Sequence, residues 1–409
     1  MTGLKHLRSA ARLRPGTAAS DNWWAGYMIA VPGIAGSLVS VLYFVAGVWA
    51  FICIAMGRFA FKIPVEARLF VYSGLGYALT LFIASVAADG AGGIAKGLAA
   101  GAAFAFVPAL ISRSQHSASG TAPDFMFRYA PAGAFLALAA ALFQTAMGYW
   151  PIEGGAGNAS VFGYVCAVSG ALSLSNATSP DRTQRLFALA GFLFGMGALV
   201  LSRTRALYPV MVMAPMLFAF VAMRATTIVH RSHVIIGACA AVIFGGLSWR
   251  VLTREIDRTF SEYAQLSGDL VSNSLAMRLE IWRIAFGSIA RAPFLGYGQV
   301  NKMTQVLRQL PENVSYVRLT HAHNIWVDSA LAGGIPAVIF LTLLVFSPLF
   351  SVIYFRKRFD LDIRNVYSLL LIFVLSILNG MFNTIFTHDI LTIMYIIPII
   401  IIYGSLKTQ

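Results

Sequence analysis

The sequence is poor in charge. Only 11% of its 409 residues are Asp, Glu, Lys or Arg, against about 25% in a typical soluble chain, while 58% are hydrophobic and the mean hydropathy is +0.74. That deficit excludes the two or three soluble domains that the length would suit, together with disordered and collagen-like chains. Cysteine is scarce as well. Cys53, Cys166 and Cys239 all sit inside apolar runs, which excludes a disulfide scaffold and marks them as small packing residues. No Walker, Rossmann or HExxH pattern occurs, and no internal repeat of roughly 20–50 residues. The one D-x-D, Asp360-Leu361-Asp362, lies among Arg356, Lys357, Arg358 and Arg364 and reads as a solvated, charge-balanced loop. What remains is apolar sequence, and a chain of this composition is expected in a bilayer.

A hydrocarbon core of about 30 Å takes roughly 20 apolar residues per helix. That length fits about twelve times, near 25–41, 42–57, 69–87, 93–111, 129–149, 160–175, 186–201, 206–223, 234–249, 323–346, 366–384 and 389–404. The first pair is open: Gly33, Gly36 and Ser37 make either a turn between two spans or a packing surface on one. The expected class is an all-α polytopic membrane protein with one large, mainly helical outer loop before helix 10. Residues 1–249 hold helices 1–9, 250–322 the loop and 323–409 helices 10–12. Of the 30 Lys and Arg residues, 18 fall in the two termini and alternate loops, including Lys5, Arg8, Arg58, Arg113, Arg185, Arg358 and Lys407. The positive-inside trend therefore places both termini in the cytoplasm, with residues 23–57 read as uncleaved. The other twelve are Lys96, Arg203, Arg205 and nine in the long loop, where only six acids oppose them. These cations face outward against the trend.

Three clusters meet at that outer side. Ser202-Arg203-Thr204-Arg205-Ala206 lies between two closely spaced apolar runs, where a cation costs about 2.5–3.5 kcal/mol unless it is paired or faces water. Arg278 and Trp282 stand at i and i+4 on one helix face, Arg283 turns away, and Pro293-Phe-Leu-Gly296-Tyr297-Gly298 then ends the helix. The third cluster runs from Thr320-His321-Ala322-His323-Asn324 to Gly333-Gly334-Ile335-Pro336 and holds two of only seven histidines. A neutral imidazole at that point can serve as general base. His-x-His supplies two ligands without a nearby Cys or third His, so no metal site is expected. A base beside arginines at a membrane's outer surface suits transfer from a lipid pyrophosphate, whose leaving group guanidinium forks bind bidentately.

With these motifs in place, the chain resembles the bacterial O-antigen ligases and related polysaccharide polymerases. Ser202-to-Ala206 matches their Ser-x-[Ser/Thr]-Arg-small pattern, Arg278-to-Trp282 their Arg-x-x-x-Trp, and Pro293-to-Gly298 their Pro-x-x-Gly-x-Gly. His323-Asn324 with Gly334 matches their His-Asn signature. The resemblance implies a metal-independent glycosyltransferase of the inner membrane, acting at the periplasmic face on an undecaprenyl-pyrophosphate-linked glycan. It implies catalytic roles for His323, Arg205 and Arg278, and leaves Arg203, His321, Asn324, Trp282 and Arg283 as substrate-binding candidates. Ala337 and Ala332 depart from residues that many members carry there. No cofactor and no nucleic-acid partner is implied. The acceptor is the lipid A core oligosaccharide or another glycolipid in a ligase, and a second lipid-linked repeat in a polymerase. One outer loop rather than two favours the ligase. A lipid-glycan transporter, with the arginines on a headgroup, is a third reading, but repeats or broken helix pairs at matching positions are missing.

Overall fold

The computed structural model describes residues 17–117, 120–224, 253–254, 257, 260–261, 274–310, 319–355 and 362–406. These residues form helices and connecting turns, with no strand among them. The longer helices are α1 (Ala18–Ala30), α2 (Leu38–Ala55), α3 (Arg68–Asp89), α4 (Ala91–His116), α5 (Ala122–Ala146), α6 (Ala159–Ser173), α7 (Arg182–Ser202) and α8 (Val210–Arg224), followed by α9 (Ser274–Arg291), α10 (Ile325–Tyr354), α11 (Ile363–Gly380) and α12 (Asp389–Ser405). Among the described residues nine helices are long and apolar enough to cross a bilayer, and α12 is a shorter apolar one. The chain is thus an all-α polytopic membrane protein. The span expected at 234–249, together with Cys239, lies outside the described residues.

The N-terminal run is a hairpin. Arg113 at the end of α4 holds Asp21 at the start of α1 at 2.5 Å, and the Ser112 hydroxyl exchanges hydrogen bonds with the Lys62 backbone just beyond α2. The turn between α1 and α2 lies instead against the α5–α6 connection, where the Gly155 N–H donates to the Gly33 carbonyl at 2.9 Å. Gly36 makes that turn at φ +49°, and a Cβ there would stand 2.0 Å from the Gly155 oxygen. The boundary expected at 41/42 therefore falls at 36/37, because that is where the chain must come closest to its neighbour.

Two helices form the centre. α6 is buried from Val161 to Ser173, and α12 is buried from Ile390 to Gly404. Small residues permit the close approach: Gly170 of α6 faces Gly195 of α7, and a Cβ on Gly195 would meet the Gly170 Cα at 2.5 Å. Inside a bilayer each polar group needs an internal partner. Accordingly Tyr367 donates to the Ala171 carbonyl and Tyr395 to the Leu344 carbonyl, at 2.9 and 2.7 Å. The outer helix faces carry exposed Leu79, Ile83, Phe187 and Met216, as a lipid-facing surface should. Cys53 and Cys166 are buried and unbridged.

The described residues 274–310 and 319–322 of the expected outer loop pack through their own small core. Ile281, Ile284 and Ala285 of α9 join Met303, Val306 and Leu310, and meet Ala322, Val327 and Leu331 at the head of α10. The anchor is a break in α10 at Gly334, at φ +68° and ψ −164°. A break frees backbone groups, and the Pro293–Gly298 turn takes them up: Ile335 N–H donates to the Pro293 carbonyl and Tyr297 N–H to the Leu331 carbonyl, both at 2.7 Å. A Cβ on Gly334 would lie 2.5 Å from the Phe294 carbonyl carbon.

Gly334→Ala should therefore cost about 3 kcal/mol or more, adding backbone collision to the left-handed penalty. Gly57→Ala carries the same φ penalty but meets nothing within 4 Å, so it should cost only about 1–2 kcal/mol. Thermal unfolding of both variants in detergent checks the ordering.

Candidate functional site

A cavity of about 1240 Å³ opens where the C-terminal ends of α7 and α11 meet the N-terminal ends of α6 and α12. Its lining includes Arg203, Arg205, Arg278, His321 and His323, which come from all three sequence clusters. Lys96 of α4 and Lys302 also line it. Its apolar lining includes Phe44, Ala99, Ala100, Ala103, Leu391 and Ile393. Another part of the wall is polar but uncharged, with Asn158, Ser160, Asn379, Asn383, Thr384 and Thr387.

The hydroxyls of the first cluster build its turn. Thr204 donates to the Ala159 carbonyl at 3.0 Å, and the Thr204 N–H reaches the Ser202 hydroxyl at 3.3 Å. A Cβ on Gly163 would stand 2.3 Å from the Thr204 hydroxyl, so glycine there lets the turn seat on α6. Arg203 closes α7 in the left-handed region, φ +54°, and its guanidinium stacks over Trp150 at 4.1 Å. Arg205 follows in the next short turn and lines the cavity beside it.

The histidine turn is held at its middle residue. Ala322 is fully buried; its N–H donates to Asp328 Oδ1 at 3.0 Å and its carbonyl accepts from Trp282 Nε1 at 2.8 Å. His323 then adopts φ +51°, which brings its ring to within 4.4 Å of the His321 ring, centroid to centroid. Thr320 Oγ1 lies 2.9 Å from His321 Nδ1. Burial pushes the His323 imidazole down from 6.5 to about 4, with His321 and Arg278 adding to it and Asp328 opposing. Burial also lowers His321, which Asp328 counteracts while Lys302, Arg278 and His388 reinforce it. Both rings are neutral at pH 7.

The remaining sequence candidates stand back from the cavity. Trp282 contributes its bond to Ala322. Arg283 is exposed and forks onto Glu280 at 2.8 and 2.6 Å. Asn324 caps α10, accepting from Trp326 and Val327 N–H at 3.0 and 3.1 Å, and its amide reaches the Met381 carbonyl at 3.4 Å. Arg278 lies one turn before Trp282 and lines the cavity itself. Sequence reasoning gave no site role to Asp328, Lys302, Lys96 or His388. Lys96 and Lys302 carried a signal, as outward cations against the topology. The pairing of Lys302 with Asp328 carried none. On the opposite face Asp362 caps α11 and binds Arg364, which also reaches Asp124 at 2.8 Å, while Asp360 lies outside the described residues. Among the described residues, no three His, Cys, Asp or Glu side chains gather as metal ligands would.

These features define a multi-pass helical membrane protein with a cationic, histidine-bearing cavity at one face. Residues 190–342 match the family model described as O-antigen ligase. The matched stretch carries Arg203, Arg205, Arg278, His321 and His323, and the resemblance read from the motifs is borne out over it. The match supports an enzyme of the O-antigen ligase or polymerase type working in a membrane on lipid-linked glycan. No curated protein matches the chain.

A depressed imidazole favours folding only in its neutral form. Above about pH 6.5 both folded and unfolded states are neutral and no linkage arises; between about 6.5 and 4 the unfolded chain protonates first and stability is lost. Histidine-ring NMR should find the His323 midpoint near 4, and His323→Gln should lose less stability than the wild type across that window.

Proposed function

We propose that the protein is an O-antigen ligase: it transfers a glycan from undecaprenyl pyrophosphate to a hydroxyl of the lipid A core oligosaccharide, at the periplasmic face of the inner membrane. The observation that carries this reading is the convergence of Arg203, Arg205 and Arg278 with His321 and His323 on one cavity. Basic residues at the opposite face, among them Lys62, Arg113, Arg185 and Arg364, support an orientation with that face and both termini cytoplasmic.

In this mechanism His323, neutral at working pH, takes the proton of the acceptor hydroxyl. The freed oxygen attacks the anomeric carbon, the bond from that carbon to the pyrophosphate oxygen breaks, and the electron pair leaves on the pyrophosphate. Arg205 and Arg278 hold that developing charge, because a planar fork matches phosphate oxygens in a way a point charge does not. Lys96 adds positive potential, and the N-termini of α6 and α12 favour anions in the same space. The uncharged polar lining at Asn158, Asn383 and Thr387 suits sugar hydroxyls, and the apolar lining at Phe44, Ala100 and Ile393 suits the first isoprene units of the donor tail. No step calls for a metal or cofactor.

Polymerization by the same chemistry differs only in the acceptor, and the single long outer segment favours the ligase. A deletion strain separates the two. Lost attachment with accumulating long lipid-linked polymer supports the ligase, whereas attachment of single repeat units supports the polymerase.

His323→Ala should leave the protein inserted and donor-binding while transfer falls by about 10²–10⁴-fold, the usual share of a positioned base. Arg205→Ala and Arg278→Ala should weaken donor binding, and the corresponding Lys variants should restore it only in part. Transfer and donor-binding assays on purified protein check both, and normal turnover by His323→Ala overturns the base assignment.

A further inference from the structure

Beside the histidine turn, with Lys302 at the cavity wall, lies a deeply buried ion pair to which the proposed chemistry gives no step. Lys302 Nζ stands 2.5 Å from Asp328 Oδ2, with side chains only 5% and 4% exposed. Charges so deep are costly to bury, and replacing such a pair by apolar groups is often neutral for stability. The second oxygen of Asp328 explains its position. Oδ1 accepts the Ala322 N–H, the one backbone donor between the two histidines, while Trp282 Nε1 holds the Ala322 carbonyl from the other side. Lys302 in turn sits on a segment latched to the membrane helices: Gln299 N–H donates to the Ser85 hydroxyl at 3.0 Å, and Asn301 hydrogen-bonds Asp89, both on α3.

We propose that Lys302 and Asp328 are the positioning residues of the site: Lys302 fixes the Asp328 carboxylate, and that carboxylate, with Trp282, clamps Ala322 so that His321 and His323 face the cavity. The inference rests on the ligase or polymerase reading for its consequence and on geometry alone for the clamp. A carboxylate needs only one oxygen for an ion pair and one for Ala322, and Asp328 uses both. The charged and titratable groups around the rings are Asp328 and Lys302 behind them, Arg278 from α9 and His388 at the head of α12. Loss of the Asp328 charge lowers the proton affinity of both histidines, and loss of Lys302 raises that of His321, so the two single variants move its titration in opposite directions. A pair that did not pack against the histidine turn would leave the midpoint unmoved.

The test uses the full chain in nanodiscs with isotope-labelled histidine, the resonances being assigned with His321→Gln and His323→Gln. Asp328→Asn should shift the His321 midpoint down and Lys302→Met should shift it up. Because either single variant leaves a buried group unmatched and can fail to insert, two uncharged double variants complete the experiment. Lys302→Met/Asp328→Asn keeps an oxygen for Ala322 and should retain the mutual geometry of the two rings and most of the transfer. Lys302→Met/Asp328→Leu has no acceptor; it should lose about tenfold in kcat, the equivalent of one buried hydrogen bond, with KM for the lipid-linked donor unchanged. Equal transfer and identical histidine spectra in the two double variants would overturn the proposal, as would single-variant shifts of the same sign. If the wild type itself shows no glycan transfer, the functional reading fails, while the histidine spectra still report on the clamp.

Discussion

Gly334 breaks the longest of the described helices, and the site depends on how the freed backbone groups are satisfied. In a bilayer an unpaired N–H or C=O costs several kcal/mol, so a broken helix must hand these groups to a neighbour. Here the neighbour is the Pro293–Gly298 turn, whose Pro293 carbonyl and Tyr297 N–H bond to Ile335 and Leu331. The exchange welds α9 to the head of α10. Arg278 and Trp282 ride on the first of these helices and the histidine turn precedes the second, so one backbone repair brings a cation and two imidazoles to the same cavity.

That cavity gathers positive charge without leaving it unmanaged. Arg203 lies over Trp150 and Lys302 on Asp328, while the two histidines stay neutral because burial and nearby cations oppose protonation. A protonated histidine beside Arg278 would add repulsion. Burial thus keeps the imidazoles neutral, and it keeps the cations in a medium where their attraction for an anion is weakly screened.

Once the contacts are known, the sequence motifs divide into residues that line the cavity and residues that build its walls. Arg205, Arg278 and His323 line the cavity. Thr204, Trp282, Asn324 and Gly334 shape it, through a hydroxyl on α6, an indole on Ala322, a helix cap and a left-handed break. The helices were legible because about twenty apolar residues in a row have one sensible place to go. The hairpin turn at Gly36 was less so, since its position depends on Gly155, more than a hundred residues away. Asp328 was visible as an acid near two histidines, but its partner Lys302 lies in another segment, and its grip on Ala322 is a backbone contact that no side-chain spacing encodes.

Composition and pattern by themselves determined that the chain is a helical membrane protein, which face collects the surplus cations, and which arginines and histidines are candidates for a site. Hydropathy and charge act locally along the chain, and the bilayer reads them one segment at a time. Only the tertiary structure decided which of those residues share a cavity, which turn away as Arg283 does, and which buried pair stands behind the histidines. Those outcomes depend on helix packing, on the break in α10 and on backbone hydrogen bonds between distant segments, and packing is a property of the whole chain rather than of any stretch of it.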